Sequence, residues 1–392
     1  MKPAPHILPV IIIAQFLCTS LWFAGNGIMP ELILAFKLHE NAIAHLTSSV
    51  QFGFIIGTLC FAIFSIADRY SPSKVFLICA IIGSLSNLAI IWDGNNLFSL
   101  LTIRFTTGFC LAGIYPVGMK IAADYYQKSL GKSLSFLVAA LVLGTALPHL
   151  LQHFNTNLPW AYTIFTISGL AFIGGLLIFF LVPDGPYKTV SQKLDFMALP
   201  KLFKSSNFRN AALGYFGHMW ELYTFWAFVP FMLATYLKAH HHDDDYTSLF
   251  AFSIVGVGSL GCIISGYLSG KFSHQKIAFG ILSLSGICCL LFPLFLLHSN
   301  FYIFLSYMLV WGMLVIADSP LFSTLVAQNA PAHLKGSALT IVNCLGYAIT
   351  IVSIQLVQSS LNYLNLQSII WLLAIGPILS FLLGYKKRRY QQ

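Results

Sequence analysis

Apolar runs long enough to cross a bilayer recur along the whole chain, and they constrain its fold more than any other feature. A helix needs roughly 20 mostly apolar residues to span the hydrocarbon core. The first such run reads "HILPVIIIAQFLCTSLWFAGNGIMPEL" and places a span at 8–30. Eleven more are expected at 46–67, 75–92, 97–122, 134–154, 161–182, 208–237, 248–269, 276–297, 300–328, 337–359 and 366–384. A membrane barrel would instead show alternating segments of about ten residues. Composition agrees: 57% of the 392 residues are hydrophobic and only 8% charged, against about 25% in soluble domains. The first run lacks a strong basic segment before it and a small-residue cleavage site at its end, so it is expected to be retained as a span.

Short polar breaks such as "WDGNN" and "NTNLPW" join the spans. One connection is longer and basic, "PDGPYKTVSQKLDFMALPKLFKSSNFRN". It divides the chain into an expected first six-helix bundle, 1–182, a central loop, 183–207, and a second six-helix bundle, 208–392. With both termini in the cytoplasm, every Lys and Arg except Lys37, Lys238 and Arg104 falls on the cytoplasmic side, as the positive-inside rule requires. The net charge of +9 is therefore topological, and nucleic acid is set aside as a partner. The eight cysteines lie in apolar segments without metal-ligand spacing and are expected to be packed thiols.

The halves repeat. "ADRYSPSKV" from Ala67 matches "SGKFSHQKI" from Ser269 at an offset of 202, and Gly108 and Pro116 match Gly312 and Pro320 at an offset of 204. Both members of each match hold the same place in their half, so the repeats are parallel.

With these features the chain resembles the major facilitator superfamily of secondary transporters. The family's GxxxDRxGRR signature is similar to "FSIADRYSPSK", which keeps Asp68 and Arg69 and has Lys74 downstream, although Phe64 and Ser71 replace the glycines. Its fourth-helix RxxxGxxxG is similar to "RFTTGFCLAG", with Arg104 and Gly108 in place. The exporters' fifth-helix GxxxGPxxGG is degraded in "LVLGTALPHLLQHF", which weighs against drug efflux. The resemblance implies an all-α integral membrane fold of twelve helices in the cytoplasmic membrane, a midplane site reached from alternate sides, and Asp68, Arg69 and Asp124 as a cytoplasmic gate.

Ionisable residues within a span are by default functional candidates facing the bundle interior. "GHMWELYTFW" puts His218 and Glu221 one helical turn apart near the midplane. The functional reading makes Glu221 the proton carrier, with His218 tuning it or sharing the proton. The alternative is a neutral Glu–His pair that fixes packing. Asp318, in "VIADSPLF", is either a third coupling group or a residue bonded locally beside Pro320. Arg104 keeps its charge and calls for an anion: the solute, Glu221 or Asp318, or headgroup water reached by snorkelling. Asn26, Gln51, Tyr115, Tyr223, Trp226 and Asn343 are candidates to line the solute site, each with helix packing as its rival role. His149 and His153 are read as interfacial.

"HHHDDD", residues 240–245, looks like a metal site, but contiguous side chains cannot all converge on one ion, so a solvated cap is expected and no metal. Neither a phosphate loop nor a GxSxG nucleophile is present, and no enzyme activity is expected. The expectation is a monomeric secondary transporter with no cofactor, driven by the proton gradient. It would take up a small polar or anionic solute by symport, with solute, protons and membrane lipid as its partners. The rivals are a proton antiporter exporting a drug or metabolite and, outside transport, a receptor or non-transporting scaffold.

Overall fold

The computed structural model describes residues 4–126, 130–155, 158–187, 194–195 and 199–385. Of the basic residues assigned to the cytoplasmic side, Lys2, Lys128, Lys188, Lys193, Lys386, Lys387, Arg388 and Arg389 lie outside these, as does part of the central connection.

Among the described residues the fold is all-helical, with twelve spans where the apolar runs were read. Ten of the helical segments are long and apolar enough to cross a bilayer by themselves. The other two have evident reasons to differ. The first is interrupted: Ile7–Thr19 ends, the chain turns through residues 20–23, and Ala24–Gly27 and Met29–Ala35 complete the crossing. The seventh, Ser206–Ala239, carries Asn207, Arg209, Asn210, His218 and Glu221 on one continuous helix.

Two further breaks repeat at equivalent places. The fourth span is Leu97–Ala112 followed by Tyr115–Tyr125, and the tenth is Phe301–Ala317 followed by Ser319–Asn329. Pro116 and Pro320 fall at the start of the second piece in each, where a missing N–H costs least. The repeat extends to the caps. Asn96 and Asn300, 204 residues apart, each accept a bond from the backbone N–H three residues on, Ser99 and Ile303, both at 3.0 Å. Gly57 and Gly261 recur at the same offset. A Cβ on Gly57 would press on the Phe109 carbonyl, and one on Gly261 on the Met313 carbonyl, so each glycine lets two helices approach backbone to backbone.

The chain forms two compact units, Met1–Ser191 with Asp243–Gly256, and Gln192–His242 with Val257–Gln392. In the first, the second span, Ala42–Ile63, packs along Leu97–Ala112, and the helix Thr247–Gly256 packs along the fifth span, Leu130–Phe154. In the second, the seventh span packs against the eleventh and twelfth, Lys335–Ser360 and Leu366–Tyr385. The ninth, His274–His298, packs against the tenth and twelfth. Large apolar side chains such as Ile78, Leu85, Phe165, Leu284 and Leu294 are exposed along the spans, as surfaces facing acyl chains require. All eight cysteines are free thiols.

Candidate functional site

The seventh span runs unbroken for 34 residues and is buried over most of its length, so its polar side chains must find partners inside the second unit. Glu221 is 1% exposed. Its Oε1 accepts three bonds: from Ser285 Oγ at 2.5 Å, from Trp311 Nε1 at 2.7 Å and from Cys289 Sγ at 3.3 Å. Ser285 and Cys289 stand one turn apart on the ninth span, and Trp311 comes from the tenth. Phe225, Phe292 and Tyr307 pack on the Trp311 ring, with centroids 4.4, 6.0 and 5.9 Å away, and hold the indole in place.

His218, one turn before Glu221, was expected to pair with it. It pairs with Asp318 instead, Nδ1 to Oδ1 at 2.7 Å. The reason is geometric: Asp318 sits at the break in the tenth span, between Ala317 and Ser319, where the helix end turns its side chain into the bundle. The imidazole Nε2 is buried with no hydrogen-bond partner among the described residues. The second unit thus gathers two carboxyl groups and an imidazole, all at most 1% exposed, from the seventh and tenth spans.

In the first unit, Arg104 is 2% exposed on the fourth span. It was expected to meet a carboxylate, a solute anion or headgroup water. Its guanidinium instead donates to two backbone carbonyls at the break in the first span, Leu21 O at 3.1 Å and Trp22 O at 2.5 Å. At this break the Asn26 N–H bonds to Phe23 O, one residue out of α-helical register. Carbonyls at a helix end carry partial negative charge, which suits a fixed cation.

The remaining candidates divide. Asn26 donates to Thr47 Oγ1 at 2.9 Å, joining the first and second spans. Tyr223 and Tyr347 share a hydroxyl bond of 2.8 Å, and Trp226 lies edge-on to Tyr223 at 5.3 Å, so this pair faces the eleventh span rather than Glu221. Gln51 is fully buried and its amide has no partner among the described residues. Tyr115 and Asn343 are half-buried. Of the gate charges, Asp68 pairs with Lys120 at 2.7 Å, Asp124 is buried in the first unit and Arg69 is exposed. His149, read as interfacial, is buried at 2% exposure where the fifth span meets the end of the first, while His153 is half-buried.

At "HHHDDD", His240 ends the seventh helix, stacks on Tyr236 at 4.3 Å and bonds the Leu296 carbonyl at 2.9 Å. Among the described residues no three His, Cys, Asp or Glu side chains could hold a metal ion.

A family model described as Major Facilitator Superfamily matches residues 11–354. The chain belongs to this superfamily. With its apolar helical spans it is a multi-pass membrane protein. Over 205 residues it is 30% identical to the niacin transporter NiaP of Acinetobacter baylyi, a match covering 47% of this chain and 44% of that protein. Over 181 residues it is 24% identical to the putative metabolite transport protein YyaJ of Bacillus subtilis, covering 45% and 38%. These matches span less than half the length of either relative. Among solved structures, a bacterial homolog of the human lysosomal transporter Spinster in an inward-facing, unoccupied conformation superposes with a TM-score of 0.73 at 12% identity, covering 97% and 96% of the two chains. The proton:xylose symporter XylE bound to 6-bromo-6-deoxy-D-glucose does so with a TM-score of 0.73 at 14% identity, covering 97% and 95%. At such identities these two structures share the superfamily's fold with this chain and no more.

Proposed function

We propose that this transporter takes up a small polar, preferably anionic, solute together with protons by alternating access, and that Glu221 carries the proton. The observation behind this reading is the enclosure of Glu221 in the second unit by donors from two neighbouring spans, one turn from a buried His218–Asp318 pair. An ionisable group is costly within a membrane and persists where it serves transport. An indole N–H only donates. Glu221 Oε1 therefore stays an acceptor, and a bound proton belongs on Oε2. The His218–Asp318 pair supplies a second place where a proton shifts between imidazole and carboxylate without leaving the buried cluster.

Proton binding drives transport only if its affinity differs between the two faces, and a carboxyl group whose solvation changes provides that difference. The niacin transporter among the relatives supports a solute with a carboxylate. The gradient of basic residues supports cytoplasmic termini. The Asp68–Lys120 pair, partly exposed and so inexpensive to open, suits a gate that breaks in each cycle.

The test is flux in proteoliposomes containing the purified chain, screened with niacin and other small carboxylates while the lumen pH is followed. Symport acidifies the lumen as solute enters. Lumen alkalinisation on solute entry identifies an antiporter, and the absence of any flux a receptor or scaffold.

A further inference from the structure

Basic residues gather at one end of the second unit. From Tyr246 to Gln392 the sequence contains a single acidic residue, Asp318, and that residue is buried against His218. The same end of the bundle carries Lys271, Lys276 and Lys335, and the sequence after Tyr385 continues as Lys386, Lys387, Arg388 and Arg389. Lys271, Lys276 and Lys335 are exposed, and exposed basic side chains at a membrane surface attract anionic groups.

A slot of about 260 Å³ lies between the ninth and twelfth spans, lined by Lys276, Phe279, Gly280, Ser283, Phe381 and Gly384. Lys276 stands at its mouth in the first turn of the ninth helix and is exposed. Much of the remaining wall is apolar: a Cβ on Gly280 would meet nothing within 4 Å, and Phe381 is 41% exposed. On the other side of Gln275 and Phe279, which border both spaces, lies a polar cavity of about 270 Å³ holding His274, Gln328 and Asn329. A cation at the mouth, polar groups beside it and an open apolar channel along a lipid-facing helix match a molecule with an anionic head and a hydrocarbon tail. Free phosphate would leave the channel empty. A protein segment would bring its own backbone polar groups into a region with no partners for them.

We propose that this slot binds an anionic glycerophospholipid, with its phosphate beside Lys276 and an acyl chain along Gly280 and Phe381. Basic side chains at the surface attract anionic headgroups by charge, and the slot adds a shape that holds one lipid in place.

The purified full chain, titrated with dioleoylphosphatidylglycerol, dioleoylphosphatidylcholine or inorganic phosphate and followed by native mass spectrometry and thermal unfolding, tests the site. Phosphatidylglycerol should stay bound and raise the unfolding temperature, while the other two do neither. Lys276→Gln should weaken phosphatidylglycerol binding by about fivefold, the factor one basic group contributes near an anionic surface. Gly280→Leu, whose Cβ meets nothing within 4 Å and whose side chain would occupy the slot, should remove the bound lipid. Equal binding of the two phospholipids, stabilisation by inorganic phosphate matching that by phosphatidylglycerol, or wild-type lipid affinity in both variants would overturn the proposal.

Discussion

His218 Nδ1 and Asp318 Oδ1 lie 2.7 Å apart, with side chains 0% and 1% exposed, so the seventh span is tied to the break in the tenth by a fully buried polar pair. Removing one member leaves the other buried and unpaired, which typically costs about 3–5 kcal/mol, whereas replacing both with apolar residues often costs little. Thermal unfolding of His218→Leu, Asp318→Leu and the double variant should show two strongly destabilised single variants and a double variant well above their sum. Additive losses would mean that the pair contributes nothing as a pair.

Arg104 closes the backbone at the break in the first span through Leu21 O and Trp22 O. Lysine keeps the charge but loses the planar fork that reaches two carbonyls. Arg104→Lys should therefore lower stability by about 1.5–3 kcal/mol, the range for a bond with one charged partner. If Arg104 served only to bind the solute, the variant would unfold at the wild-type temperature and show a raised KM.

Backbone-to-backbone packing makes another set of outcomes. A Cβ on Gly108 would fall on the Val50 carbonyl, and one on Gly53 on the Phe105 carbonyl. Gly108→Ala and Gly53→Ala should each unfold at markedly lower temperature. Gly169→Ala, where a Cβ meets nothing within 4 Å, should gain about 0.5–1 kcal/mol through helix propensity. Ser65 holds a left-handed φ of 50°, so Ser65→Gly should stabilise the turn before Asp68 by about 1 kcal/mol. Differential unfolding scans of the four variants check all of these.

Much of this architecture is legible in the sequence because lipid enforces it. Each span needs its own apolar run, and a rare charge such as Glu221, Arg104 or Asp318 stands out in that text. The partners were not legible. Ser285, Cys289 and Trp311 are ordinary residues of apolar helices, 64, 68 and 90 positions from Glu221, and only packing brings them together. The acceptors of Arg104 are backbone carbonyls, which leave no mark in residue identity. Pro116 and Pro320 mark two of the span breaks. The break at residues 20–23 contains no proline and no glycine, and its sequence reads as continuous helix. The pairing of His218 with Glu221, suggested by their spacing, yields to Asp318 because the break in the tenth span delivers a carboxylate that no local pattern announces.

The Asp68–Lys120 pair is 2.7 Å long, with side chains 10% and 21% exposed. An ion pair in contact with water contributes at most about 1 kcal/mol. Asp68→Asn should thus leave the unfolding temperature nearly unchanged while altering transport turnover, and Asp68→Lys with Lys120→Asp should recover part of the lost rate. Wild-type turnover in Asp68→Asn would remove the pair from the gate.

The central claim, that Glu221 carries the coupled proton, is tested most directly by comparing wild type and Glu221→Gln in proteoliposomes, measuring solute accumulation under an imposed pH gradient and solute exchange without one. Glutamine keeps the carbonyl oxygen that accepts from Ser285 and Trp311 but cannot bind and release a proton. Glu221→Gln should lose gradient-driven accumulation and retain exchange. Accumulation at the wild-type rate in that variant would contradict the account.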